Sequence, residues 1–129
     1  MEKILIMDDC GDFRSLLRDI LIEAGYEVLE AADGSEGLQL YHRNPVSVVI
    51  IDMLMPKKDG LETIMELRKL PSRAKIIAVS GGGRIPPTEY LDMASASGID
   101  YTFTKPIDPN ALLSTIRQIL DKEKAHASL

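Results

Sequence analysis

The sequence predicts an α/β fold in which one five-stranded parallel sheet is covered by helices on both faces. Short apolar runs typical of buried strands alternate five times with longer segments whose apolar residues recur at helical spacing. Strands that alternate with helices favour parallel pairing through right-handed crossovers. The chain has 129 residues, of which 45% are hydrophobic and 27% charged, which suits one domain with one core. We therefore expect a doubly wound sheet.

Each strand is predicted from an apolar run bounded by turn residues. The third run is the most hydrophobic, and Asp33-Gly34 closes the second run. The predicted strands are, in chain order, Lys3–Met7, 26–31, 46–51, 74–79 and 99–104.

Each helix is predicted from apolar spacing and from the residues at its ends. Asp12 is the expected N-cap of the first helix, and Gly25 its stop. The second helix is weaker because Gly37 lies inside it. The predicted helices are 12–24, 35–43, 60–69, a segment from Pro86-Pro87 to about Ala96, and a last helix after Asp108-Pro109. We expect one domain over 1–129, with a tail at about 121–129.

Charge and cysteine content exclude several classes of protein. The formal net charge is −5, which argues against direct binding of nucleic acid, since such surfaces need clustered Lys and Arg. The single cysteine, Cys10, cannot form an internal disulfide and favours a reducing compartment. No stretch approaches the roughly 20 apolar residues of a membrane span. We therefore expect a cytoplasmic protein without membrane contact.

Polar side chains follow four of the five predicted strands. The carboxyl ends of parallel strands meet at one edge of a sheet, where ligands of open α/β sheets bind. Each residue alone has an ordinary structural explanation, as a turn residue, an acid at the start of a helix or a surface lysine. Four polar strand ends at one edge of the sheet favour a shared functional site instead. The residues are Asp8 and Asp9 after strand one, Asp52 after strand three, Ser80 and Gly81 after strand four, and Lys105 after strand five.

Together these side chains have the composition of a phosphoryl-transfer site. Converging carboxylates repel one another, and a hard divalent ion such as Mg2+ would relieve that repulsion. Lys105 adds a positive charge for a phosphate oxygen, and Ser80 adds a hydroxyl donor. A carboxylate nucleophile, a metal site, a lysine and a hydroxyl are what phosphoryl transfer needs.

The same residues resemble the receiver domain of two-component response regulators, in its single-domain, chemotaxis-regulator-like form. The resemblance spans nearly the whole chain, through Asp8-Asp9, the stretch DMLMPKKDG from Asp52, Ser80-Gly81 and Lys105-Pro106. It implies a flavodoxin-like (β/α)5 fold with strand order 2-1-3-4-5. It also implies a switch that assists its own phosphorylation and dephosphorylation and is not a turnover enzyme.

The resemblance assigns a role to each residue of the acid cluster. Asp52 would accept a phosphoryl group from the phosphohistidine of a histidine kinase or phosphotransfer protein. Asp9 would ligate Mg2+, or Mn2+, directly, and Asp8 would do so mostly through water. Asp52 and the main-chain carbonyl of Leu54 would complete the metal ligands.

Further residues would contact the phosphoryl group. The backbone N–H groups of Met53 and Gly81 would point at its oxygens, and Lys105 would pair with it. Ser80 would move toward it as the switch hydroxyl. The Lys105–Pro106 bond matches a position where the family uses a cis peptide.

Two departures from the family pattern predict different behaviour. Thr102 stands where many members carry a switch Tyr or Phe, so we expect a different output readout. Leu54 and Gly82 cannot orient a water with their side chains, which predicts slow autodephosphorylation. Output would pass to a protein partner through the face of the fourth predicted helix, the fifth strand and the last helix. The chain would be a free-standing regulator, a phosphorelay shuttle or a receiver from a longer protein.

The main alternative is an aspartyl-phosphate hydrolase of the haloacid-dehalogenase type. That family also combines an Asp nucleophile, a Ser or Thr, a Lys and an acid pair. It places a second acid two residues after the nucleophile, where this chain has Leu54, and its acid pair comes late in the chain, unlike Asp8-Asp9. A flavin-binding module of similar topology would need a Ser/Thr-rich loop after strand one, which is missing here.

Overall fold

A computed structural model describes residues 2–53, 55, 60–70, 74–81 and 99–127, with side chains as far as residue 124. Its five strands form one parallel sheet in the order β2-β1-β3-β4-β5, which confirms the predicted fold class and strand order. The strands are β1 (Lys3–Met7), β2 (Glu27–Ala31), β3 (Val48–Asp52), β4 (Lys75–Ser80) and β5 (Tyr101–Thr104).

Four helices are described. They are α1 (Gly11–Glu23), α2 (Gly34–Arg43), α3 (Gly60–Lys69) and the C-terminal helix α4 (Pro109–Ala127). The helix predicted from Pro86-Pro87 to about Ala96 lies outside the described residues. Residues 121–127, which the sequence predicted as a tail at the frayed end of the last helix, continue α4. Within the described ranges, no helix has the length and apolar character needed to cross a bilayer.

The core consists of two apolar layers, one on each face of the sheet. Successive strand residues point to opposite faces, so adjacent apolar residues supply both layers. One layer contains Leu5, Val49 and Ile51 with residues of α2 and α3. The other contains Ile6 and Ile50 with residues of α1 and α4. Each fully buried aliphatic side chain contributes about 1.5–3 kcal/mol, so these layers hold the strand ends in fixed positions.

The start of α1 differs from the sequence expectation. Asp12 is not the N-cap, because the helix begins at Gly11 after Cys10, whose side chain makes no capping hydrogen bond. The Asp8 carboxylate accepts the Cys10 N–H at 2.8 Å, which turns the chain before Asp12 is reached. Asp12 lies instead in the first turn, where a negative charge is favoured by the helix dipole.

Gly37 explains why α2 forms despite an internal glycine. A Cβ at this position would overlap the side chain of Met7, which is fully buried at the end of β1. The glycine therefore lets α2 lie close against the sheet, a gain in packing that offsets its low helix propensity.

Candidate functional site

The carboxyl ends of β1, β3, β4 and β5 bring the predicted site residues to one edge of the sheet. Asp8 follows β1, and its N–H donates to the Ala31 carbonyl at 3.0 Å, which continues the pairing with β2. Asp52 is the last residue of β3, opposite Val79, rather than the first residue after the strand. The Lys105 N–H donates to the Ser80 carbonyl at 2.7 Å, so the ends of β4 and β5 are also joined.

Three carboxylates converge at this edge. One oxygen from each of Asp8, Asp9 and Asp52 lies within 4.8 Å of the others. Asp8 and Asp52 are only 2% and 7% exposed, whereas Asp9 is exposed. Buried carboxylates are costly unless a cation or hydrogen bonds compensate them. The apolar core cannot compensate the negative charge of this cluster.

Lys105 neutralises part of the negative charge of this cluster. Its Nζ lies 3.1 Å from Asp8 Oδ2 and 3.5 Å from Asp52 Oδ2. Partial burial lowers the pKa of Lys105, but the Asp8 and Asp52 carboxylates outweigh that effect and the pKa is raised overall. Lys105 is therefore a firmly protonated ammonium, and its single charge leaves the three carboxylates incompletely neutralised.

The two carboxylate oxygens of Asp8 have different surroundings. Oδ1 accepts the Cys10 N–H at 2.8 Å. Oδ2 is buried and accepts no hydrogen bond within the described ranges, and the Lys105 ammonium lies 3.1 Å from it. A buried carboxylate oxygen without a hydrogen bond, next to two further acids, fits a hard divalent cation such as Mg2+, which selects oxygen ligands.

Two glycines give the site its close backbone packing. A Cβ on Gly81 would lie 2.5 Å from the Lys105 Cβ, so this glycine lets the lysine stem pass. A Cβ on Gly60 would lie 2.5 Å from both the Asp52 carbonyl oxygen and the Met53 Cα. The Gly60 N–H donates to the Met53 carbonyl at 3.1 Å, which ties the start of α3 to the end of β3.

Several predicted roles are not decided by the described residues. The Met53 N–H donates to the Val79 carbonyl at 2.9 Å, so its contact with phosphate stays a prediction. Leu54 and Gly82 lie outside the described residues. Ser80 is buried at the end of β4, and the switch role of its hydroxyl also stays a prediction. The Lys105–Pro106 peptide bond is cis, as the resemblance implied.

The fifth strand has the alternation that the sequence suggested. Tyr101 and Phe103 pack against the layer that contains α1 and α4. Thr102 lies on the other face and is exposed. Thr102 therefore places no aromatic ring on that face of β5, and its role as a switch residue stays a prediction.

The sequence-based reasoning missed two residues of α1 that contact the site. The Phe13 ring centroid lies 4.1 Å from Lys105 Nζ, a cation–π contact. Arg14 Nη1 donates to the Asp8 carbonyl at 2.7 Å. Their only signal in the sequence is their position one turn into a helix that starts beside the acid pair.

An apolar groove opens beside Lys105, with a volume of about 440 Å³. It runs between α1 and the segment that leads into α4. Leu16, on its rim, is 57% exposed, which is high for a large aliphatic side chain. The groove is lined by Phe13, Leu16, Leu17, Ile20, Gly81, Lys105, Pro106, Ile107 and Pro109.

Known proteins resemble this chain over nearly its whole length. A family model described as the response regulator receiver domain matches residues 4–117. Chemotaxis protein CheY of Thermotoga maritima is 31% identical over 119 residues, which cover 92% of this chain and 97% of that protein. Transcriptional regulatory protein CpxR of Klebsiella pneumoniae is 34% identical over 120 residues. Those residues are 93% of this chain but only 50% of CpxR, so the chain spans about half of that relative.

Solved structures agree with this similarity. A CheY-like response regulator receiver domain protein from Methanospirillum hungatei JF-1 superposes with a TM-score of 0.88 and 29% sequence identity. The superposition covers 98% of both chains.

Proposed function

Because the chain belongs to the response regulator receiver domain family, we propose that it is a signalling switch controlled by phosphorylation of Asp52 in a Mg2+-dependent reaction. The observation that carries this proposal is the meeting of Asp8, Asp9, Asp52 and Lys105 at one edge of the sheet. A histidine kinase or phosphotransfer protein would supply the phosphoryl group.

Asp52 is the nucleophile in this proposal. One of its carboxylate oxygens attacks the phosphorus of a phosphohistidine, the P–N bond breaks, and the imidazole leaves with its electron pair and takes a proton from solvent. The product is an acyl phosphate. The carboxylate suits this role because it stands at the rim of the core, 7% exposed, with Lys105 Nζ 3.5 Å away.

Lys105 would pair with negative charge both before and after the phosphoryl group is transferred. Before transfer its ammonium pairs with Asp8 and Asp52. After transfer the negative charge lies on the phosphoryl oxygens, and the same ammonium would hold them, with the Ser80 hydroxyl as a further donor. The Gly81 backbone would be a third contact, since no side chain there shields its N–H.

Asp8, Asp9 and Asp52 would hold the Mg2+ ion, with the Leu54 carbonyl as a further proposed ligand. When bound, the ion would neutralise charge on the transferring phosphoryl group. The chain's own part is to hold the three carboxylates close together. Asp8 Oδ2, which accepts no hydrogen bond from the described residues and shares one ammonium with Asp52, supports a further cation at this position.

The apolar groove beside Lys105 would receive the phosphodonor. A phosphohistidine is carried on a larger protein, so the surface around the acceptor must bind that protein while Asp52 reaches the phosphorus. The groove offers Phe13, Leu16 and Ile107 immediately next to Lys105. An amphipathic helix fits such a surface better than a small soluble donor does.

The output would be a change in a protein-binding face. Added charge at Asp52 would draw Ser80 inward and bias the surface around β5 and α4, with Thr102 in place of an aromatic switch. We propose a protein partner in the cytoplasm, and no direct contact of this domain with nucleic acid, given its net charge of −5. Leu54 and Gly82 would make the phosphorylated state long-lived.

The test is intact-mass measurement after incubation with acetyl phosphate and Mg2+. We expect one acid-stable, base-labile phosphoryl adduct, which is absent with a chelator and absent in Asp52→Asn. The matched control is Asp19→Asn, since the Asp19 side chain is 71% exposed on α1, and this variant should be phosphorylated normally. No metal-dependent adduct on the native chain would overturn the proposal.

A turnover assay separates the switch from the hydrolase alternative. A switch forms a stoichiometric adduct on Asp52 and releases phosphate slowly. A hydrolase of the haloacid-dehalogenase type would release many equivalents of phosphate from a generic aryl phosphate. We expect no more than the background rate with such a substrate, because the position two residues after Asp52 is Leu54, which is no general acid.

A further inference from the structure

We infer that Arg14 is a positioning residue that fixes the main chain of Asp8, so that Asp8 Oδ2, the oxygen next to Lys105, faces the metal position. This inference rests on the proposed Mg2+ site. It concerns a residue of α1 that touches neither the phosphoryl group nor the ion, and whose effect passes through Asp8.

Asp8 is held at three of its four polar groups. Its N–H donates to the Ala31 carbonyl at 3.0 Å, and its Oδ1 accepts the Cys10 N–H at 2.8 Å. Its carbonyl oxygen accepts from Arg14 Nη1 at 2.7 Å. Within the described part of the chain, Oδ2 accepts no hydrogen bond and instead faces the Lys105 ammonium at 3.1 Å. The three anchors thus define where Oδ2 points, and Arg14 is the one supplied by a side chain from another element.

Glu30 keeps Arg14 in this position. Arg14 Nε donates to Glu30 Oε1 at 3.3 Å, from α1 to β2. The two side chains are 21% and 27% exposed, so solvent screens the pair only in part. The planar guanidinium can bind Glu30 and the Asp8 carbonyl at once, which an ammonium group cannot do as well.

The same pair prevents a conflict of charge. A guanidinium beside a cation site would repel the cation if it stood alone. Glu30 balances that charge, and Arg14 binds the carbonyl of Asp8 rather than its carboxylate. The acid cluster therefore keeps its oxygens for a ligand while its main chain is anchored.

Arg18 is a matched control within the same helix. It also binds Glu30, with Nη1 3.3 Å from Oε2, and it binds the neighbouring Asp19. Among the described residues it has no recorded contact with the Asp8 turn. Arg14→Met and Arg18→Met thus each remove one positive charge and one Glu30 ion pair, but only the first removes the anchor of Asp8.

The test compares Mg2+ binding of the native chain, R14M and R18M by titration of backbone amide NMR signals. We expect R14M to bind Mg2+ roughly fivefold or more weakly and R18M to stay within about twofold of native. Exchange of the Cys10 amide with water should accelerate in R14M alone, because the Asp8 turn opens. The amide of Ile50, in the core of β3, should be equally protected in all three.

The outcomes are distinguishable. Equal Mg2+ affinity of R14M and R18M, or equal loss in both, overturns the role of Arg14. No Mg2+-dependent shift in the native chain overturns the proposed metal site itself. If R14M does not fold, R14K takes its place, with an expected weakening of about twofold or more since one ammonium cannot span both partners. Native affinity in R14K then counts against the inference.

Discussion

Two aspartates at opposite edges of the sheet show how differently the fold treats the same side chain. Asp100 stands at the amino-end edge, before β5. Its Oδ2 accepts the Ile76 N–H at 2.9 Å and Arg68 Nη2 at 3.0 Å, and Lys75 Nζ lies 3.9 Å from Oδ1. The Asp100 N–H in turn donates to the Ile76 carbonyl at 3.1 Å. Both carboxylate oxygens of Asp100 and its backbone N–H are thus paired with groups of the protein.

Asp8 stands at the carboxyl-end edge with the opposite outcome. It is more deeply buried, yet its Oδ2 accepts no hydrogen bond from the residues that the structure describes and shares a single ammonium with Asp52. Asp100 is thus compensated by groups of the protein, whereas Asp8 and Asp52 share one ammonium, which is the charge imbalance that the proposed Mg2+ ion would relieve. We expect substitutions at the first edge to change stability and those at the second to change binding.

The largest expected effect is that of Asp8→Asn on metal affinity. The amide removes one of three charges from the cluster, so Mg2+ should bind roughly tenfold or more weakly. In the presence of a chelator the unfolding free energy should stay within about 1 kcal/mol of native or rise, because a poorly compensated buried charge has been removed. Calorimetric titration and urea unfolding measure the two quantities. A large loss of stability without loss of Mg2+ binding would contradict the expected difference between Asp8 and Asp100.

Asp100→Ala should show the reverse pattern. The Ile76 N–H loses its side-chain acceptor, and two partly exposed cations lose their partner, which together cost about 1–2 kcal/mol of unfolding free energy. Mg2+ affinity should remain within about twofold of native. Asp19→Ala, which removes an exposed ion pair on α1, is the control and should change stability by about 0.5 kcal/mol or less.

Phe13→Leu tests the contact between the Phe13 ring and Lys105 at the carboxyl-end edge. Leucine keeps the groove apolar but removes the ring that lies 4.1 Å from Lys105 Nζ. A cation–π contact at a partly exposed site is worth about 0.5–1 kcal/mol, so phosphorylation by acetyl phosphate should slow by roughly two- to fivefold. Phe13→Tyr keeps a ring and should react at the native rate. Equal rates for the leucine variant and the native chain would leave Phe13 as groove lining only.

The smallest effect is a pH dependence that belongs to Lys105. Its pKa is raised in the folded protein because the carboxylates of Asp8 and Asp52 outweigh burial, so the folded state holds this proton more tightly than the unfolded chain. The stabilisation is therefore complete below the usual lysine pKa of about 10.4 and is lost as pH rises through the folded pKa. Unfolding of the native chain and of Lys105→Met should converge at alkaline pH. A constant difference between them across that range would contradict this.

The sequence predicts the fold and much of the site because those features have local signals. Apolar runs and helical spacing mark β1 and α4, and strand ends are where a parallel sheet gathers polar groups. The strand order came from resemblance, since apolar runs do not say which strands are neighbours. The prediction of Asp12 as the N-cap of α1 was wrong because Asp8, four residues earlier, fixes the turn.

Other features could not be read from sequence because they depend on contacts between distant segments. Phe13 and Arg14 have the spacing of ordinary helix residues, and only the packing of α1 against the sheet brings them to Lys105 and Asp8. Gly60 suggests a turn in the sequence. Its contact with the backbone of Asp52 appears only when β3 and α3 are placed together.

That contact makes α3 a natural place from which to watch the site. Gly60 packs against the backbone of Asp52 and Met53, and its N–H donates to the Met53 carbonyl, so we expect a displacement of the end of β3 to be transmitted to the first turn of α3. Met65 lies on the same helix with 54% of its surface exposed, so a spin or fluorescent label can replace it without disturbing the core. Distances measured from such a label would show, without radioactivity, whether the acceptor end of β3 shifts when Asp52 is phosphorylated.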